Sequence, residues 1–251
     1  VPLEKTLDEW LAARGASPVS AKQHGAVVPA TTTGVVPATS SELSTGITPL
    51  PPEVPELPRG YLVRETILSG IKELLFPSSS TSEQQPATVV AVQGMGGSGK
   101  TVTAAALVFD KTVRAHFDVI AFLPFGQAPV LRDLQKMMHF QLVNKTLDGS
   151  LNGDEVLIAL RMACKDRKVL CVLDDVWTKE AYQPFARVLD EGTDSRLLVT
   201  TRVKGLVSGA PEFALGLLSA DDSVSLLMEC AGEKAGIPPH TELQLCSMAK
   251  L

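Results

Sequence analysis

"VVAVQGMGGSGKTVTAA", residues 89–105, sets a β-branched apolar run directly before four glycines in six residues and a Lys100–Thr101 pair. The apolar run reads as a buried strand, and the stretch after the lysine reads as a helix. Glycines at such a junction let the backbone turn tightly and aim its N–H groups inward. The helix start adds the positive end of its dipole at the same spot. These features predict a polyphosphate site. Gly94, Gly99, Lys100 and Thr101 satisfy G-x-x-x-x-G-K-[ST] in the strand–loop–helix context that this spacing needs. The expected cradle is the backbone of Gly94, Met95, Gly96, Gly97, Ser98 and Gly99, with Val102 just inside the helix. Lys100 is expected to reach the β- and γ-phosphates, and the Thr101 hydroxyl to ligate Mg²⁺.

Two further stretches belong with the loop. "VLCVLDDVW" (169–177) is an apolar strand that ends in Asp174 and Asp175. At the carboxyl edge of a parallel sheet such acids stand at the mouth where ligands bind. Asp174 is the expected Mg²⁺ partner through water, and Asp175 is placed to polarise an attacking water. The plain alternative is a solvated pair of acids at a strand end. "RLLVTTR" (196–202) is another buried run, ending in Thr200, Thr201 and Arg202. A cation there can report a γ-phosphate; only its companions distinguish Arg202 from an ordinary solvated arginine. Lys100, Asp175 and Arg202 form the candidate catalytic set.

Outward from these motifs the pattern alternates. "YLVRETILSGIKELLF" reads as an extended entry and a helix ending before Pro77, and the polar loop "PSSSTSEQQ" leads to a strand at 87–93. A helix over about 100–111, a strand in "FDVIAFLPF", and helices over 131–143 and 154–165 follow. After the strands in 168–177 and 195–202 come helices over 220–231 and 241–251. Strands alternating with helices imply an α/β fold: a three-layer sandwich about a central, mostly parallel sheet, followed by the start of a helical subdomain. Met137, Met138 and Phe140 read as core on an amphipathic helix, Trp177 as packing beneath the acidic loop, and His116 as a surface or hydrogen-bonded residue. Asp221 and Asp222, just after Ser219, read as helix N-terminal capping.

Composition bounds the reading. The chain of 251 residues is 45% hydrophobic and 20% charged, which is that of a globular protein. A net charge of −5 supplies no electrostatic reason to expect nucleic acid. No apolar run reaches the roughly 18 residues of a membrane span, and "VPLEKTLDEW" has no apolar signal core. Cys164, Cys171, Cys230 and Cys246 lie far apart, with no zinc spacing, and Cys171 in "VLCVL" reads as a buried, inert thiol. A reducing, cytoplasmic setting is expected. Residues 15–58 are rich in Pro, Thr and Ser, carry "VVPAT" twice, and read as a linker. Residues 1–14 read either as the last helix of an upstream domain, the reading preferred here, or as a short amphipathic piece. The start at Val1 suggests a fragment or a processed product.

"GMGGSGKT", "VLCVLDDVW" and "RLLVTTR", in that order, resemble the NB-ARC domain of plant disease-resistance proteins and apoptotic-protease-activating factors, STAND-class relatives of AAA+ ATPases. "PRGYLVRETILSGIKELL" is similar to that family's entry motif, and the resemblance implies that Arg64 and the backbone preceding it, at Val63, line an adenine pocket. "HFDVIAFLPFG" is similar to the motif after the first helix, with Phe122 where plant members carry Trp. "LGLLSADDSVSLLMECAG" resembles the stretch that leaves the nucleotide domain, and "ELQLCSMAKL" the helix before a Gly-Leu-Pro-Leu motif that this sequence lacks. The resemblance implies a nucleotide-binding domain at 59–217 and the start of a helical subdomain at 218–251, cut within it. It also implies ATP/ADP and Mg²⁺ as ligands, slow hydrolysis, self-association, an upstream effector, a downstream sensor, and a role in innate immunity or cell death. A multiple-turnover ATPase or small-molecule kinase is the rival reading, although no lid or second-substrate site is visible. "VNKT" at 143–146 lacks the aspartate of a guanine-reading motif, which disfavours GTP. A degenerate scaffold is disfavoured by intact Gly99, Lys100, Thr101 and Asp174.

Overall fold

The computed structural model describes residues 47–58, 60–77, 87–189 and 192–231. The expected helices at 1–14 and 241–251, the linker through residue 46 and most of the "PSSSTSEQQ" loop lie outside the described residues.

Five strands form one sheet: β1 (Val89–Gln93), β2 (Val119–Pro124), β3 (Val169–Val176), β4 (Arg196–Thr201) and β5 (Glu212–Ala214), in the spatial order β2-β3-β4-β1-β5. Every pairing is parallel. The seven helices described are α1 (Glu65–Leu75), α2 (Lys100–Phe109), α3 (Lys111–His116), α4 (Leu131–Val143), α5 (Gly153–Cys164), α6 (Lys179–Ala186) and α7 (Ala220–Ala231). Successive side chains on a strand point to opposite faces, so a strand covered on both sides must be apolar throughout. In β3, Val169, Cys171 and Leu173 enter one core with α4, α5 and α6. Leu170 and Val172 enter a second core with α1, α2 and α3. This is the expected three-layer sandwich. In α2, Ala104, Ala105 and Ala106 are buried beside Leu107 and Val108, and their small side chains bring the helix close to the sheet.

Several local outcomes differ from the sequence reading. The expected helix over 100–111 breaks at Asp110, whose carboxylate accepts the N–H groups of Thr112 (2.8 Å) and Val113 (3.3 Å) and so starts α3. Helix α5 begins with a capping box between Asn152 and Glu155. Helix α6 was not expected, because Pro184 sits inside it, and the three-residue strand β5 is too short to show a period. Phe140, expected in the core, is 44% exposed, whereas Met138 beside it is fully buried. The ring of His116 stacks on Phe76 at 4.7 Å, and its buried Nε2 has no hydrogen-bond partner among the described residues.

The end of the stretch read as linker is built into the domain. Val54 is buried in the second core, with Leu50 and Leu57 packed against it. The Thr48 N–H donates to Arg114 O at 3.0 Å, and Arg114 Nε donates to Thr48 O at 2.8 Å. Gln141 Nε2 donates to Glu53 at 2.8 Å and to Phe122 O at 3.0 Å, while its Oε1 accepts the Phe122 N–H. The amide thus covers backbone groups that edge strand β2 would otherwise leave open.

Asp110 also accepts a hydrogen bond from Lys72 on α1 at 2.9 Å, joining the helices of one layer. Burial by itself would raise the pKa of this carboxyl. The hydrogen bonds from Thr112, Lys72 and Val113 outweigh it and hold the pKa at about 2, against an ordinary 3.8. A depressed carboxylate contributes stability that is complete above its unfolded pKa and is lost as pH falls through the folded one. Denaturation by urea should therefore show stability falling between about pH 4 and pH 2. Asp110→Asn should lose about 1–2 kcal/mol at neutral pH and flatten that acid limb; an unchanged limb would assign the acid sensitivity elsewhere.

Candidate functional site

The β1–α2 loop lies at the carboxyl edge of the sheet, where β3 and β4 also end. Gly97 and Gly99 take the left-handed backbone, with φ of 79° and 90°, and Gly99 caps α2 without a side-chain bond. The first N–H groups of α2 are thereby left facing out of the helix end. Gly94 has a different reason to be glycine: a Cβ there would stand 2.7 Å from Ser98 Oγ and 2.8 Å from Leu215 O. Lys100 is buried, and its Nζ donates to Gly94 O at 2.9 Å and Met95 O at 2.7 Å. Burial draws its ammonium below the ordinary lysine pKa; Arg202 acts in the same direction, and Asp175 and Asp174 oppose.

Asp174 is buried and accepts from Thr101 Oγ1 (2.8 and 3.0 Å to its two oxygens) and from Thr200 Oγ1 (2.6 Å). Thr200 Oγ1 in turn accepts the Asp175 N–H at 2.8 Å. One hydroxyl therefore bridges both acids, giving its proton to the first and taking a hydrogen bond from the second. Between Leu173 and Val176 the β3–β4 register shifts, and Asp175 adopts φ 59°. Such a bulge turns a side chain out of the pleat. An aspartate tolerates the left-handed region better than most residues. The Asp175 carboxylate accepts from Trp177 Nε1 at 3.1 Å and from Arg202 Nε at 3.3 Å. The Arg202 guanidinium lies 5.2 Å from the centre of the Trp177 ring.

Two cavities meet at the loop. One, of about 510 Å³, carries the charged and hydroxyl side chains of Lys100, Thr101, Asp174, Asp175 and Arg202, with the turn Pro124–Gly126 completing its wall. The other, of about 210 Å³, is largely apolar and is lined by Pro58, Tyr61, Leu62, Arg64, Leu218 and Leu226 among others. Gly97, Gly99 and Val102 border both. Arg64 donates to Gly216 O at 3.3 and 3.5 Å, tying the entry segment to the chain leaving β5.

Most of the expected site residues are therefore brought together. Met95 is 68% exposed and contributes its carbonyl to Lys100. Val63, expected at the adenine pocket through its backbone, has a side chain that is 58% exposed, and the apolar cavity is lined from this segment by Tyr61, Leu62 and Arg64. Sequence reasoning noted Thr200 without giving it a role, and read Trp177 as mere packing. The Thr-Thr-Arg ending of β4 was the available signal for the first; no sequence signal marked the lining by Leu218 and Leu226.

The donor set suits a polyphosphate and a hard cation. The loop amides and Lys100 offer only hydrogen-bond donors, and Ser98 Oγ is buried without a partner among the described residues. Thr101 and Asp174 offer hard oxygens of the kind Mg²⁺ takes beside water and phosphate.

This sheet order with this loop defines the P-loop NTPase fold. The sequence matches the NB-ARC domain over residues 64–236, and the chain belongs to that family. It is 31% identical over 148 residues to disease resistance protein RPM1 of Arabidopsis thaliana, covering 56% of this chain and 16% of that protein. It is 29% identical over 169 residues to disease resistance protein ADR1 of the same plant, covering 67% and 18%. The chain thus spans under a fifth of the length of these relatives. Among solved structures it is similar to Cdc6p from Pyrobaculum aerophilum, with TM-score 0.55 and 19% identity over 80% of this chain and 56% of that one. The Aeropyrum pernix Orc1 protein, solved in complex with DNA, gives 0.50 and 18% over 77% and 56%. At these identities the likeness is one of fold. Among the described residues, no helix is long and apolar enough to cross a membrane.

Thr200→Val should leave Asp174 short of a donor and the Asp175 N–H without its acceptor. A loss of about 1–3 kcal/mol in chemical denaturation is expected, largely restored by Thr200→Ser. Equal stability of all three proteins would show that the bridging hydroxyl carries no weight.

Proposed function

We propose that the chain is the nucleotide-binding part of a signalling switch, which rests with ADP bound and self-associates when ATP replaces it. The observation that carries this reading is the pairing, across Gly97, Gly99 and Val102, of a cavity that gathers Lys100, Asp174, Asp175 and Arg202 with a largely apolar one. That is the division a nucleotide presents, with charge at one end and a flat apolar base at the other. Tyr61, Leu62 and Arg64 enclose the base. The Gly94–Gly99 backbone surrounds the phosphates, and Lys100 exchanges two loop carbonyls for phosphate oxygens. Thr101 and Asp174 would hold Mg²⁺, which would supply charge neutralisation to the phosphates. Asp175 orients a water and accepts its proton, so hydrolysis resets the switch slowly. Membership of a family that includes plant disease-resistance proteins favours a signalling role. Effector and sensor domains in the whole protein, self-association and a cytoplasmic, immune setting are parts of the same proposal.

Leu218 and Leu226 stand on the segment that leaves β5 and on α7, which we assign to a helical subdomain beginning near residue 218. Base binding would thereby bear on that subdomain's position, as a switch requires of its ligand.

Purification without added nucleotide, followed by denaturation and chromatography of what is released, tests the reading. Near-stoichiometric ADP is expected from the wild type. Lys100→Ala, which removes a charge-assisted partner worth roughly 2–5 kcal/mol, should release none while keeping its circular dichroism. A variant that retains as much ADP as the wild type would overturn the phosphate assignment. An empty wild type that turns over added ATP many times would indicate an enzyme instead.

A further inference from the structure

Arg202 is anchored in a way that its place in the polar cavity does not require. Its Nε donates to Asp175 Oδ1, its guanidinium lies over the Trp177 ring, and Nη1 would stand 3.0 Å from a Cβ on Gly96. Asp175 is its ion-pair partner among the described residues. Both carboxylate oxygens of Asp175 are engaged, Oδ1 by Arg202 and Oδ2 by Trp177 Nε1. Trp177 does not line either cavity at the loop, so its reach to the site runs through these two neighbours.

We propose that Trp177 is a positioning residue that parks Arg202 on Asp175, and that a γ-phosphate draws the guanidinium away from both. This rests on the reading of the cleft as an ATP/ADP site. The two contacts of Trp177 divide the work. The indole N–H holds Oδ2, fixing the carboxylate on the bulge that already sets its backbone. The ring face is the seat that the cation leaves, since an indole attracts a guanidinium through its quadrupole. When Arg202 turns to a γ-phosphate, Oδ1 is freed toward the cleft while Oδ2 stays anchored. ADP brings no group to that end of the cavity, so Arg202 keeps its seat. The same movement thus reports the third phosphate and uncovers the residue that orients water. Gly96 belongs to the device as well, because any side chain there would press on the parked guanidinium.

Trp177 is one of two tryptophans in the sequence, and Trp10→Phe leaves it as the sole reporter. In that background, emission should be the same without nucleotide and with ADP, and should shift with Mg²⁺ and adenylyl imidodiphosphate. Adding Arg202→Ala should abolish the difference between the two ligands. Independently, Trp177→Leu removes the seat, so affinity for the triphosphate analogue relative to ADP should rise about two- to fivefold by calorimetry. Equal emission with both ligands bound, or a difference that survives Arg202→Ala, overturns the parking role. Binding of neither nucleotide by the wild type overturns the nucleotide reading itself and this proposal with it.

Discussion

The cleft depends on one buried carboxylate. Asp174 closes the carboxyl end of β3 and accepts hydrogen bonds from the hydroxyls of Thr101 on α2 and Thr200 on β4. A buried carboxylate left without donors would be costly, so these partners are needed by the fold before any ligand is considered. Their geometry also sets the site. Holding Thr101 to Asp174 fixes the first turn of α2 against the sheet, and with it the glycine loop. Holding Thr200 between Asp174 and the Asp175 N–H fixes the bulge that presents the second acid. What looks like a constellation of functional side chains is first a solution to burying charge at a sheet edge.

That economy explains why the polar cleft was legible in the sequence. Asp174, Asp175 and Arg202 end apolar runs, Lys100 and Thr101 open the helix that follows one, and the end of a buried parallel strand has one place to go. "VVAVQ", "VLCVL" and "RLLVT" are apolar because helices cover both of their faces, so their terminal residues must converge on one edge. Lys100, Thr101, Asp174, Asp175 and Arg202 could thus be brought together from pattern and fold class alone. The base side was less legible. Val63 was named by family resemblance for its backbone and Arg64 beside it, whereas Tyr61 and Leu62, which also line this cavity, were not named. Extended segments carry no strong period of their own, so which residue turns inward depends on packing far away, here on Arg64 held to Gly216.

Other misses have similar causes. Pro184 hid α6, and β5 is too short for alternation to register. Asp110 reads in sequence as one polar residue in a helix, but it ends α2, starts α3 and pairs with Lys72 on α1. The segment 47–58 has the composition of a linker, and its Val54 nonetheless finds a core to enter. The indole of Trp177 was counted for its bulk, whereas its N–H and its ring face make separate contacts with Asp175 and Arg202. Composition reports what a segment is able to do alone; these residues act through partners distant in sequence.

The central claim is that the two cavities are halves of one adenine-nucleotide site whose phosphate end is completed by a cation on Thr101 and Asp174. Calorimetric titration of the purified chain with ADP, GDP and ADP with Mg²⁺ tests it most directly. The account predicts one site per chain for ADP, tighter binding when Mg²⁺ is present, and weaker binding of GDP. No binding of ADP under either condition, or equal affinity for the two bases, would contradict it.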